Sequence, residues 1–285
     1  MKRLQVFMSV MVFILAIQAF AQDSKQMLAD AEKLAAEESV RKLEASADSI
    51  TNDSEQFRQL RKAVGSLKDA DRAKALVGKI RNPGYRDFTM LETLARFKQY
   101  DDAITLMKGK DIEAWPTECR GAAYKVLGDI HQAQKNDAAA LDNYILAIAA
   151  PATEVIVRGW AAHAAGGIYL KQRDRVKAEA MFRQALGISP AGWAWRNECM
   201  TILSGMLIED KRAPEAVKLF ESLDFEKMDI PYWKAVLLEA YAHALLADGK
   251  KIKAAEMFDA LLKTDISKEQ KAKIEKELDK LAEGM

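Results

Sequence analysis

The sequence predicts an all-α chain of stacked helical hairpins, and three observations carry that reading. Ala140, Ala178, Ala216 and Ala254 recur at a constant pitch of 38 residues. Tyr144, Phe182, Phe220 and Phe258 recur at the same pitch, four residues later. Strand signals are almost missing: the run Val155-Ile156-Val157 abuts the helical phase and reads as a loop or first turn. A small residue followed at i+4 by a ring suits two helices that approach closely while the ring fills the gap to the next unit.

The elements follow in chain order. Lys2 and Arg3, an apolar run from Leu4 to Phe20 and the triplet Ala19-Phe20-Ala21 read as a cleaved export signal over 1–21. The competing reading is a retained anchor, but Gln5, Ser9 and Gln18 interrupt the run. Residues 22–53 are expected to form an amphipathic capping helix with Leu28, Ala31, Leu34 and Leu43 on one stripe. Residues 54–266 then hold about six hairpins, the first two degenerate. Leu60, Val64, Ala73 and Val77 serve the first, and Tyr100, Ala103 and Met107 the second. Regular units begin near residues 121, 159, 197 and 235. Pro83, Pro116, Pro151, Pro190 and Pro231 fall between units, where helices must stop, and Pro214 suits a first helical turn. Over 267–285 a final helix opens on the capping box Ser267/Gln270 and presents Ile274, Leu278 and Leu281.

Composition narrows the function. Without Lys2 and Arg3 the remaining chain carries 41 basic against 42 acidic residues, too balanced for a nucleic-acid surface. No second long apolar stretch follows, so no stable membrane insertion is expected after cleavage. Cys119 and Cys199 are separated by a whole helix pair and read as unpaired, partly buried thiols. His131, His163 and His243 lie in different units without ligand spacing, and no glycine-rich phosphate loop follows a strand. The residues support neither catalysis nor a cofactor.

The unit at Gly159 resembles a tetratricopeptide repeat through Gly166, Tyr169, Ala178, Phe182, Ala185 and Pro190. The unit at Gly121 matches through Tyr124, Leu127, Gly128, Ala140, Tyr144 and Ala147. Later units keep Leu203, Ala216 and Phe220, then Ala254 and Phe258, and the pitch exceeds that family's by about four residues. The resemblance implies a right-handed superhelical solenoid whose first helices line a protein-binding groove. It places Lys125, His163, Thr201, Glu239, Asp129, Gly167, Gly205 and His243 along that groove. The Lys and Asn set of the family's carboxylate clamp is absent here, so that specificity is not implied.

Two constellations sit around the starts of the first helices, the basic one expected just before each of them. Arg120, Arg158, Arg196 and Lys234 form a basic phase of the repeat. They read either as a structural ladder pairing with Glu118, Glu154, Glu198 or Glu239, or as an edge steering acidic partners. Trp160, Trp193, Trp195, Tyr232 and Trp233 cluster nearby. Such rings either staple consecutive hairpins or remain exposed as anchors. The sequence therefore points to an exported, non-catalytic scaffold in the periplasm or cell envelope. Its partner segment is expected to contact Arg120, Arg158, Trp160, His163, Trp195, Arg196, Trp233 and Lys234. The alternative is a cell-wall glycan-binding module that stacks sugars on the same rings.

Overall fold

The computed structural model describes residues 26, 34, 37–188 and 194–283. The export signal, Leu28, Ala31, Pro190 and Trp193 lie outside the described residues. The chain divides into two compact units, one ending at Lys108 and the other beginning at Gly109. Among the described residues there is no strand, and no helix is long and apolar enough to cross a membrane.

The first unit runs from helical residues 37–46 through a short turn, Ala47–Ser49, into α1 (Asp53–Ser66), α2 (Ala70–Val77), α3 (Pro83–Arg96) and α4 (Tyr100–Met107). Each helix start has a local cause. Asn52, Asp69 and Asn82 accept hydrogen bonds from the backbone N–H groups of Glu55, Arg72 and Tyr85, and Pro83 supplies a preset first position. Leu60, Val64, Ala73, Val77 and Ala103 are buried, and Phe57 stacks on Tyr85 with centroids 4.3 Å apart. The capping stripe differs from expectation. Leu34 is exposed, whereas Val40 and Ala47 are buried with Leu43 between them. Arg72 holds this segment down through Glu37 and Glu44, and Gln56 Nε2 donates to the Ala47 carbonyl (2.8 Å). The stripe therefore lies nearer the segment's end, where α1 and α2 reach it.

The second unit begins with a short turn, Ile112–Ala114. It continues through the hairpins α5/α6 (Thr117–Ala133, Asp137–Ala149), α7/α8 (Val155–Lys171, Arg175–Ile188), α9/α10 (Ala194–Glu209, Ala213–Lys218) and α11/α12 (Pro231–Ala247, Lys251–Leu262). The turn Phe225–Lys227 precedes α11, and α13 (Lys268–Glu283) closes the array. Each hairpin packs on itself, each second helix packs on the next first helix, and α5, α7, α9 and α11 lie side by side in that order. First helices of 16 or 17 residues absorb part of the long repeat pitch. The Val155-Ile156-Val157 run forms the first turn of α7.

Every member of the alanine and ring phases is buried: Ala140, Ala178, Ala216 and Ala254, with Tyr144, Phe182, Phe220 and Phe258. Within the first two hairpins a glycine opposite each ring makes room for it. A Cβ at Gly128 would lie 2.5 Å from Tyr144 Cε1, and one at Gly166 would lie 2.7 Å from Phe182 Cε1. The corresponding residues one and two repeats on are Ser204 and Ala242, both small and buried.

The hairpin turns share one backbone device. Lys135, Arg173, Lys211 and Gly249 adopt φ of 61°, 63°, 60° and 75°, and Lys98 does so in the first unit at 58°. In each turn two successive N–H groups reach back to the last turn of the first helix, as Lys135 does to Gln132 O (3.0 Å) and Asn136 to His131 O (2.8 Å). This is the left-handed helix stop that glycine usually occupies. Here four of five are basic residues, whose charge suits a helix C-terminus.

At the far end the expected capping box forms: Gln270 N–H donates to Ser267 Oγ (3.1 Å) and Ser267 N–H to Gln270 Oε1 (3.3 Å). Ile274 and Leu281 are buried against α11 and α12, with Leu278 partly so. Cys119 and Cys199 form no disulfide with each other and are fully buried rather than partly so.

Candidate functional site

The row of first helices in the second unit carries a polar and aromatic strip built from three of them. Trp160 stands on the second turn of α7, 37% exposed. Its Nε1–H donates to Asp129 Oδ1 on α5 (3.4 Å), and Lys125 Nζ sits 4.9 Å from the ring centroid. Lys125 also pairs with Asp129 at 2.6 Å, one helical turn away. The Tyr144 hydroxyl lies 3.0 Å from Asp129 Oδ1 and 2.8 Å from Gln132 Oε1, so Asp129 is gripped from three sides. Burial and the Asp129 charge hold the Tyr144 phenol protonated, well above its usual range. One ring is thereby fixed in orientation before any partner arrives.

His163 continues the strip toward α9. Its ring lies 5.8 Å from Trp160 and 6.3 Å from the buried Phe182, and Nε2 is 3.1 Å from Glu198 Oε2. The contact resembles an ion pair, yet burial depresses the His163 pKa and outweighs the opposing pull of Glu198. Glu198 is half exposed, so water screens its charge. His163 is therefore neutral near pH 7, with Nε2–H donating to Glu198 and the buried Nδ1 lacking a partner.

A pH dependence follows. The unfolded chain takes up a proton here near pH 6.5, but the folded chain does so only at lower pH. Stability from this site is present above pH 6.5 and is lost as pH falls through the folded value. Between pH 7.5 and 5.5 the wild type should lose more stability in urea titrations than His163→Gln. Parallel losses in the two proteins would disprove the assignment.

The remaining expected site residues separate into distinct environments. Trp195 is 4% exposed: the far edge of its indole presses on Gly159, where a Cβ would lie 2.1 Å from Cη2. It staples α9 to α7 and presents no ring to a partner, which removes it from the expected anchors. Trp233 occupies the same repeat phase, and the position equivalent to Gly159 is held by Asn197, not a glycine. Trp233 is only partly buried, and together with Asn197 and Arg196 it lines a cleft of about 490 Å³. Tyr232 beside it is exposed, its ring edge-on at 5.1 Å.

The basic phase does not form a uniform ladder. Arg120 Nε donates to the Trp115 carbonyl (2.9 Å), and its guanidinium pairs with Glu113 at 3.2 Å. Arg158 and Arg196 each bury an Nε that has no acceptor. Lys234 lowers the Asp224 carboxyl pKa only as a distant charge, after the closer Lys227. The expected partners Glu198 and Glu239 instead meet His163 and Lys273. Arg120, Arg158, Arg196 and Lys234 lie within the first turns of α5, α7, α9 and α11 rather than just before these helices, and Arg120 reaches back to the turn that precedes its own helix. Asp129 and Lys125, which orient Trp160, carry groove positions in the sequence, but their contact with Trp160 becomes visible only when α5 and α7 are laid side by side.

Among the described residues no three His, Cys, Asp or Glu side chains converge to hold a metal ion. Burial pushes the Cys199 thiol up to about 12, so the thiolate is suppressed.

Compared with known proteins, the chain matches no family model and no curated protein. Among solved structures it is similar to a putative kinesin light chain from Podosopora anserina with nearly identical TPR-like repeats. The identity is 15%, the match covers 68% of this chain and 95% of that one, and the TM-score is 0.45. A substituted form of the same protein is similar at 16% identity over 61% of this chain and 91% of that one, with a TM-score of 0.44.

Proposed function

We propose that this chain is an exported, non-catalytic scaffold that holds a segment of a partner protein along its row of first helices. The observation that carries the reading is Trp160. A large ring left over a third exposed, yet locked by Asp129, Lys125 and His163, is a preorganised anchor of the kind that dominates protein interfaces. Rigidity matters because a fixed indole loses little conformational freedom on binding. The surrounding charges, Lys125, Asp129 and Glu198, supply a polar rim with both signs. The suppressed Cys199 thiolate argues against a nucleophile on this face, and the burial of His163 Nδ1, with Nε2 engaged by Glu198, argues against a base. Export rests on the sequence of residues 1–21.

The test is a photoreactive residue placed at position 160 in the full chain in living cells, with position 176 as the control. Val176 is exposed on α8, so it samples a second helix. A protein captured from 160 and not from 176 is expected, and Trp160→Ala should weaken that protein's binding by about 30-fold. Equal capture from both positions would remove the proposal. Capture of glycan alone would move the reading to sugar stacking on Tyr232 and Trp233.

A further inference from the structure

The cleft between α9 and α11 holds a cation without a counter-ion. Arg196, in the first turn of α9, is half-buried, and its Nε has no acceptor. One terminal nitrogen lies 3.1 Å from Met200 Sδ, a weak acceptor that neutralises nothing. Among the described residues no carboxylate lies within ion-pair distance of it, and residues 189–193, which precede the helix, include no Asp or Glu. Its phase-mate Arg120 shows what a satisfied member looks like, with both a backbone carbonyl and Glu113. An unpaired guanidinium removed from water is costly unless an anion joins it. Burial depresses the Arg196 pKa, as that cost requires.

The walls define the rest of the ligand. Trp233, Met228 and Leu223 give one apolar side, and Asn197 lines the cleft at the repeat position that Gly159 holds beneath Trp195. On the rim Asp224 is closed by Lys227 at 2.7 Å, and Asp229 is exposed. With Asp224 neutralised by Lys227, Asp229 remains on the rim against the inner guanidinium and penalises a dianion such as phosphate more than a monoanion. A monoanion whose two oxygens match the guanidinium fork meets a smaller repulsion and keeps the bidentate pairing. The cleft volume of about 490 Å³ lies within the range that small-ligand sites occupy.

We propose that this cleft binds an organic monocarboxylate, with its carboxylate against Arg196 and its apolar body against Trp233, Met228 and Leu223. The site is separate from the Trp160 strip and does not depend on the scaffold reading.

The test uses the full chain with benzoate as the probe, its neutral isostere benzamide and inorganic phosphate as controls, read by thermal melting and by tryptophan fluorescence. Benzoate should raise the melting temperature and quench fluorescence, while benzamide and phosphate should do neither. Arg196→Gln should melt no lower than the wild type without ligand, because it removes an unpaired charge, and should bind benzoate at least about tenfold more weakly. Arg158→Gln, the other member of the phase with an orphaned Nε, should respond to benzoate as the wild type does. A peptide ending in phenylalanine with a free carboxylate, run against its C-terminal amide, separates a chain end from a free acid. Tighter binding of the peptide acid than of benzoate would assign the site to chain ends, and the reverse would assign it to small acids. Equal responses to benzoate and benzamide would overturn the proposal. So would undiminished benzoate binding by Arg196→Gln, or a lower melting temperature for that variant.

Discussion

Phe182→Ala is expected to cost about 3–5 kcal/mol of unfolding free energy, among the largest single losses available in the second unit. Phe182 is fully buried on α8, its ring seated over Gly166 of α7 and near His163. The site cannot collapse well after truncation. The glycine opposite has no side chain to move inward, and Ala178 and Ala185 on the same helix are equally short. The lost transfer free energy is thus joined by most of the cavity cost. Val176→Ala on the same helix provides the control: that side chain is 81% exposed, and its loss should change stability by less than about 0.5 kcal/mol. Urea titrations of both variants decide the matter. A Phe182→Ala midpoint close to that of Val176→Ala would mean the ring does not hold the hairpin.

The second large effect is a coupled one between hairpins. Trp195→Ala should cost about 3–5 kcal/mol, because nearly the whole indole is buried against α7. Gly159→Ala is the reciprocal disturbance. Alanine is the better helix former by about 1 kcal/mol, but its Cβ would meet the rigid ring at 2.1 Å, an overlap worth about 1–3 kcal/mol. The net result is expected to be destabilising. The overlapping atoms belong to the outer edge of the six-membered ring, which phenylalanine does not reach. In the double variant Gly159→Ala/Trp195→Phe the losses should therefore fall short of additivity by about 1 kcal/mol or more. Additive losses would mean that the two residues do not share a contact.

The fold was legible because its determinants repeat. One alanine or one aromatic residue means little, but four of each at one pitch can only be satisfied together by stacking, and all eight are buried. The site was legible in part. Trp160 and Trp195 both stand at the entry to a first helix, and composition gives no reason to separate them. Their phases do: 38 residues before Trp195 stands Val157, and 38 after it stands Trp233, whereas Trp160 aligns with Glu198. Burial of Trp195 goes with the glycine opposite it, whereas Asn197 holds the equivalent repeat position for the partly buried Trp233. That information belongs to a neighbouring helix and is hidden from any one-dimensional pattern. The polar pairings escaped for a similar reason. Arg120 finds Glu113 in a short turn outside the repeat, and Glu198 finds His163 across a helix boundary.

The left-handed turns carry a consequence for how such an array can be cut. A residue with a side chain held there costs about 1–2 kcal/mol relative to glycine, a penalty that Lys135, Arg173 and Lys211 each carry. The second helix of the third hairpin, α10, spans six residues, too few to persist alone. Isolated from its flanks, the second hairpin has a disfavoured bend and an open glycine notch where a neighbour's indole belonged, and the third has a disfavoured bend and a brief return arm. Excising modules should therefore yield collapsed or sticky fragments rather than a shorter working ruler, and any trimmed version needs a replacement lid over the notch it exposes.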